Sequence, residues 1–304
     1  MSTLYTAYLA PKRREDDLEH ELQGHITEHK GRLFLCETPP KTSVYWYQNI
    51  WMDARKITIE SIGDGARKLR DIQRNWNYYP HDHHRRAKLI QEKLPHVSAK
   101  RIEFGSPLPD APLGSWCLLD RDTILASPTC SESVPDGMYE FVEDKETPPN
   151  RAYLKLWESF TRLGVFPDNG QKSIDVGSSP GGWTWVLQTL GCHVISVDKA
   201  PLDPKIAKLN NIEYKQESAF GLEPSDIGNI DWFCSDIICY PDRLYTLVNK
   251  WIDSGKVENM ICTLKFQSDT DFDAIKRFAS IPQSRIIHLH HNKHELTWIW
   301  RKTP

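Results

Sequence analysis

"IDVGSSPGGWTW", residues 174–185, runs from one apolar stretch through a turn into another. The turn holds Gly177, Ser178, Ser179, Pro180, Gly181 and Gly182; Asp175 stands just before it and Trp183 opens the second apolar stretch. A strand, a glycine turn and a helix in that order put a loop at the carboxyl end of the strand, where ligands of open α/β sheets sit. Glycine serves there because it tolerates positive φ and lets another group come close to the backbone. A second acid, Asp198, closes the next apolar segment, at the spacing where an acid pairs with ribose hydroxyls. Ser179 occupies the place of the second glycine of G-x-G-x-x-G, and no Gly-Lys-Ser/Thr follows, so a pyrophosphate ligand fits poorly. S-adenosylmethionine has a ribose and an adenine but no phosphate, and it fits better. The blander reading is a turn that only packs strand on helix.

Outward from the turn the pattern is regular. "SIDVG", "HVISVD", "IEYKQ", "IDWFCSD", "MICTLKF", "RIIHLHH" and "ELTWIWR" are short apolar strands, and helical segments separate most of them. This alternation predicts an α/β domain, a mostly parallel sheet with helices on both faces. Only a few residues join the last two strands, too few for a parallel crossover, so the last strand is antiparallel. Upstream, "NRAYLKLWESFTRL" places Tyr153, Leu156, Trp157, Phe160 and Leu163 on one helical stripe. "EDKETPPN", 143–150, is charged, carries two prolines and reads as a linker. The expected domains are therefore 1–145 and 146–304.

The first of these mixes strands and helices irregularly and reads as a small α+β domain. "LYTAYL", "RLFLCET", "VYWYQNIWM" and "KITIES" are strand-like, and "GSWCLLDRDTILASP" is a hairpin leading by way of a Pro-Asp-Gly turn to "MYEFVE". "EDDLEHELQGHI", with Leu18, Leu22 and Ile26 four apart, "GDGARKLRDIQ" and "HHRRAKLIQEKL" are helical.

Composition narrows the classes. Of 304 residues, 39% are hydrophobic and 26% charged, a globular balance. No apolar run reaches membrane-spanning length, and the first residues lack the pattern of a secretory signal. Seven cysteines at irregular spacing, with no C-x-x-C, fit free thiols in a cytoplasmic protein. "HDHH" at 81–84 and "HLHHNKHE" at 288–295 invite a metal, but no ligand set at standard spacing completes either, and none is assigned. In the second run, strand alternation sends His288 and His290 to one face and His291 to the other. The net charge of −3 gives no global pull toward nucleic acid. Locally the picture differs. From Arg67 to Arg101 there are 10 basic and 3 acidic residues, including Arg67, Lys68, Arg70, Arg74, Arg85, Arg86 and Lys88, with Trp76, Tyr78 and Tyr79 among them. Cations for phosphates and aromatics for unstacked bases suit single-stranded RNA. A solvated helix with buried aromatics is the alternative.

Three charged residues converge on the same sheet rim as the glycine turn. Lys265 ends one strand, Asp236 ends another, and Glu295 begins the antiparallel strand where its neighbours finish. A partly desolvated lysine at such a rim favours its neutral form and can serve as a general base. Taken singly, Lys265 is also readable as a snorkelling edge residue and Glu295 as a surface acid.

"IDVGSSPGGWT", "SDI", "TLKF", "NRAYLKLWE" and "HNKHELTWIWR" together resemble the FtsJ-like RNA 2′-O-ribose methyltransferases, over about 150–302 and in the family's order. The likeness is nearest to the bacterial large-subunit rRNA (cytidine-2′-O-) methyltransferases that carry an N-terminal THUMP domain. It implies a Rossmann-like class I methyltransferase fold, S-adenosylmethionine as cofactor, RNA as partner, and a Lys-Asp-Lys-Glu tetrad at Lys155, Asp236, Lys265 and Glu295. Lys265 is then the base, Lys155 the neighbouring ammonium, and the two acids orient them. Periodicity alone leaves Lys155 on the polar side of its helix. The donor is expected against Asp175, the turn from Gly177 to Trp183, Asp198 and Asp236. Ser218, beside Glu217, stands where the family often has an acid near the adenine. The N-terminal half is shorter than those relatives' accessory region. The favoured target is rRNA; tRNA or another RNA is the near alternative, and an RNA-binding module with degenerate catalysis the distant one.

Overall fold

The computed structural model describes residues 3–303, which fall into two compact units, Met1–Glu140 and Phe141–Pro304.

The first unit contains β1 (Leu4–Leu9), α1 (Glu15–Glu21), β2 (Glu28–Lys30), β3 (Leu33–Cys36), β4 (Asn49–Thr58), α2 (Ile62–Ile72), β5 (Trp76–Tyr78), α3 (His84–Gln91), β6 (Gly114–Leu118) and β7 (Thr123–Ser127). Its sheet has the order β2-β3-β1-β4-β7-β6-β5, antiparallel except where β5 meets β6. Period-two alternation gives the sheet two apolar faces. Trp116, Leu118, Ile124 and Ala126 pack with Ala66 and Leu69 of α2 and Ala87 and Ile90 of α3. Cys117 and Leu125 point the other way, to Leu9, Leu35, Trp51 and Tyr79.

Three expectations for this unit change. The two strand-like segments around residues 44–61 join in the single strand β4, which runs on through the exposed pair Met52 and Asp53, where its register with β1 shifts. "MYEFVE" forms no strand. Ile26 lies beyond α1, which ends before the left-handed Gly24 at φ 82°.

The second unit follows with α4 (Tyr153–Leu163), β8 (Lys172–Val176), α5 (Gly182–Thr189), β9 (His193–Val197), α6 (Pro204–Ala207), β10 (Ile212–Lys215), α7 (Pro224–Ile227), β11 (Ile230–Ser235), α8 (Pro241–Asp253), β12 (Val257–Lys265), α9 (Phe272–Ala279), β13 (Ser284–Ile287) and β14 (Glu295–Arg301). The sheet order is β10-β9-β8-β11-β12-β14-β13. The first five strands run parallel, and β14 lies antiparallel between β12 and β13. This is the mostly parallel sheet with an antiparallel last strand expected from the strand pattern. Strand order reverses between β8 and β11, which makes their carboxyl ends the switch point where open α/β sheets take ligands.

The strands read as apolar runs because both faces are covered. Trp298 of β14 has no exposed surface; its ring sits edge-on to Phe278 of α9, and its Nε1 donates to the Phe278 carbonyl at 3.2 Å. Trp298→Ala is expected to cost about 3–5 kcal/mol, the usual loss for a fully buried tryptophan. Urea unfolding reads this, and a loss below about 1 kcal/mol would show that α9 does not rest on this ring.

Candidate active site

The four charged residues singled out in the sequence meet at the carboxyl ends of the strands. Asp236 follows β11 directly, Lys265 is the last residue of β12 and Glu295 the first of β14. Antiparallel pairing sets Lys265 directly opposite Glu295. Lys155 comes from the first turn of α4. Its Nζ lies 2.7 Å from Asp236 Oδ1 and 3.1 Å from Glu295 Oε1, and Lys265 Nζ lies 3.0 Å from Asp236 Oδ1. Lys265 also donates to the Asp236 carbonyl at 2.5 Å. The groups thus form a chain of alternating sign, Glu295–Lys155–Asp236–Lys265. Burial by itself would push the Lys155 ammonium down, but the Asp236 and Glu295 carboxylates outweigh it and the net shift is upward. Lys155 is therefore held as a cation.

A second buried link fixes α4 against the turn before β14. Glu158, one helical turn beyond Lys155, has no exposed surface. Its Oε1 accepts from the backbone N–H of His290 at 2.8 Å and its Oε2 from that of His291 at 3.1 Å. Arg162 donates to the His288 carbonyl at 3.0 Å. The segment expected as a strand through His291 is this clasped turn instead, since β13 stops at Ile287. Among the described residues no cluster of three or more His, Cys, Asp or Glu could hold a metal ion.

Beside the charged chain lies a cavity of about 530 Å³, within the range of small-molecule sites. Gly177, Ser179, Asp198, Ser218, Asp236 and Lys265 all line it. Asp198 is already an acceptor: its Oδ2 takes the Ser179 N–H at 3.0 Å and its Oδ1 the Ala200 N–H at 2.9 Å. A carboxylate has about four acceptor sites, so capacity remains for hydroxyls.

The other turn residues sit off the cavity wall and hold the loop. A Cβ on Gly181 would meet Ile206 at 2.8 Å, and one on Gly182 would meet Asn150 Oδ1 at 2.4 Å. Both glycines thus make room for neighbouring side chains. Gly177, at φ 74°, has Ile237 Cα only 2.7 Å from where a Cβ would stand, so the loops after β8 and β11 touch there. Pro180 follows a cis peptide bond, and its carbonyl accepts from Asp203 N–H at 2.9 Å. Trp183 Nε1 donates to the Ala152 carbonyl at 2.9 Å, tying the loop to the start of α4. Ser178 is buried. Asp175 is wholly buried; Oδ2 accepts from Thr184 at 2.7 Å and Oδ1 has no hydrogen-bond partner among the described residues. Burial pushes its carboxyl up to about 7.

Sequence reasoning missed Asn150, Lys199, Phe220, Ile237, Ile238 and Arg243, which also line the cavity. Most lie one to three residues past a strand end or a residue already chosen, and that adjacency was the available signal. The expected basic stretch of the first unit changes more. Trp76 and Tyr79 are core residues, 1% and 6% exposed, and neither offers a face to a base. Trp76 donates to the carbonyls of Leu69 and Gln73, and Tyr79 packs edge-on against Trp51. Tyr78 is half-buried against Trp116. Arg67 and Lys68 pair with Asp64, Arg70 donates to the Lys93 carbonyl, and Arg86 reaches Asp122 at 3.4 Å. Arg74, Arg85 and Lys88 are exposed.

Comparison with known proteins places this unit. Residues 148–268 match the family described as FtsJ-like methyltransferase. Ribosomal RNA large subunit methyltransferase M of Thauera aminoaromatica is 30% identical over 165 residues, 49% of this chain and 45% of that protein. The protein of the same name from Xanthomonas oryzae pv. oryzae strain PXO99A is 28% identical over 208 residues, 63% of this chain and 59% of its own. The chain thus spans about half the length of the curated relatives it matches. Among solved structures, an rRNA methylase from Streptococcus thermophilus aligns with TM-score 0.38 at 15% identity over 49% of this chain and 96% of that one. TrmN from Thermus thermophilus aligns with TM-score 0.37 at 12% identity over 98% and 99%.

The Asp175 carboxyl gives a signed pH dependence. Its folded value of about 7 lies above the roughly 3.9 of an unfolded aspartate. Its protonation therefore favours the folded state fully below about pH 4, and that contribution is lost as pH rises toward 7. Asp175→Asn, which keeps the Thr184 contact and carries no charge, should raise the melting temperature relative to the parent at pH 8 and by much less at pH 4.5. Equal shifts at both pH values, read by scanning calorimetry without ligand, would contradict this.

Proposed function

We propose that the chain transfers a methyl group from S-adenosylmethionine to a ribose 2′-hydroxyl of RNA, with ribosomal RNA as the substrate. The observation that carries the reading is the hydrogen-bonded chain of two amines and two carboxylates, drawn from four separate elements, beside a cavity of cofactor size. The FtsJ-like match over 148–268 and the names of the relatives support methylation and rRNA.

The cavity's donor set fits the cofactor. Asp198 would take the ribose hydroxyls, the Gly177 backbone would lie close against the ligand, and Ser218 with Glu217 would stand toward the adenine. When bound, the sulfonium supplies an electrophilic methyl carbon and a neutral thioether leaving group. Lys265 takes the 2′-hydroxyl proton as the oxygen attacks that carbon. A neutral amine that donates both its hydrogens to Asp236, at the carbonyl and the carboxylate, has one lone pair left for the task. Lys155 holds Asp236 and Glu295 in place and keeps a positive charge where the alkoxide develops. In-line placement and fixed charges do the remaining work.

Lys265→Ala should abolish methyl transfer to deproteinised large-subunit rRNA while calorimetry finds the affinity for S-adenosylmethionine within about threefold of the parent. Near-normal turnover in that variant would remove Lys265 as the base.

The exposed cations of the first unit would hold RNA phosphates without reading bases. Arg85→Ala and Lys88→Ala should each weaken RNA binding and lower the slope of log affinity against log salt by about 1. An unchanged slope in both would show that this face does not meet RNA.

A further inference from the structure

The loop from Ile237 to Tyr240 joins Asp236 to α8, and it breaks the usual burial rule. Six large apolar side chains are exposed among the described residues, and the two most exposed are Ile238 at 78% and Tyr240 at 63%. Cys239 between them and Pro241 after them are buried, so the backbone is anchored while the two large side chains face outward. Ile238 also shares the cavity wall with Asp236 and Lys265. Arg243, on the first turn of α8, lines the same wall with its guanidinium 3.9 Å from the Phe220 ring centroid. It has no carboxylate partner among the described residues.

We propose that this surface seats the RNA nucleotide whose ribose is presented to Lys265, with its base against Tyr240 and Ile238 and an adjacent phosphate on Arg243. The proposal rests on the methyl-transfer reading and adds the substrate's contacts to it. One glycosidic bond joins base to ribose, so a 2′-hydroxyl within reach of Lys265 brings its base to the loop that starts one residue after Asp236. A ribose drawn to that rim leaves its base unstacked, and an aromatic face replaces the lost stacking. A guanidinium held over a ring face still has N–H donors to offer, which match a phosphate. S-adenosylmethionine carries no phosphate, so that cation matches the other reactant.

The test uses the full chain with deproteinised large-subunit rRNA at saturating S-adenosylmethionine. Tyr240→Ala should raise the KM for RNA by roughly tenfold, in the range of one lost base–aromatic stack, with kcat changed far less, and Tyr240→Phe should restore it. Arg243→Ala should lower the salt slope of RNA binding by about 1. Calorimetry should give the parent's cofactor affinity for both alanine variants. A parent that methylates RNA while Tyr240→Ala keeps its KM would overturn the platform alone. Weakened cofactor binding in Arg243→Ala would assign that guanidinium to the donor's carboxylate instead. A parent that binds RNA and cofactor but transfers no methyl would overturn the functional reading, and this proposal with it.

Discussion

A lysine ammonium shut away from water between two carboxylates is the constraint around which the second unit is organised. Lys155 is 8% exposed, and its charge is supportable only with Asp236 and Glu295 both in place. The three groups come from an early helix, a central strand end and the start of β14. The requirement therefore ties α4, β11 and β14 together at one end of the sheet. Glu158 and Arg162 repeat the device one turn along α4, binding backbone groups of the turn that leads into Glu295. Two buried charge systems on one helix thus fix where that helix meets the sheet.

The sheet was legible because its strands are short apolar runs covered on both faces, and the antiparallel end followed from the length of one connection. The first unit was less legible. β4 carries two consecutive exposed residues, Met52 and Asp53, at a shift of register with β1, and a reading that weighs apolar density breaks it in two there. Asp236, Lys265 and Glu295 stood out by their positions at strand ends. Lys155 did not, because amphipathic periodicity assumes that the polar side of a helix meets water. In α4 every residue from Tyr153 to Phe160 is buried, so Lys155, Glu158 and Ser159 face packed polar groups rather than solvent. Only the family resemblance picked out Lys155.

The glycine turn divides its labour in a way its motif does not display. Gly181 and Gly182 make room for Ile206 and Asn150, while Gly177 makes room for the backbone of Ile237. Aromatic residues misled. Trp76 and Tyr79 sit in a cationic stretch, yet each interior position of a small sheet needs filling, and both fill one.

The placement of β14 between β12 and β13 has a consequence for biosynthesis. Lys155 emerges from the ribosome 140 residues ahead of Glu295. Asp236 follows Lys155 by 81 residues, so until Glu295 emerges the sheet lacks an interior strand and the nascent helix has at most one of its two carboxylates for its amine, and the rim can close only late in translation. A helper protein that shields unpaired edges would have its window then.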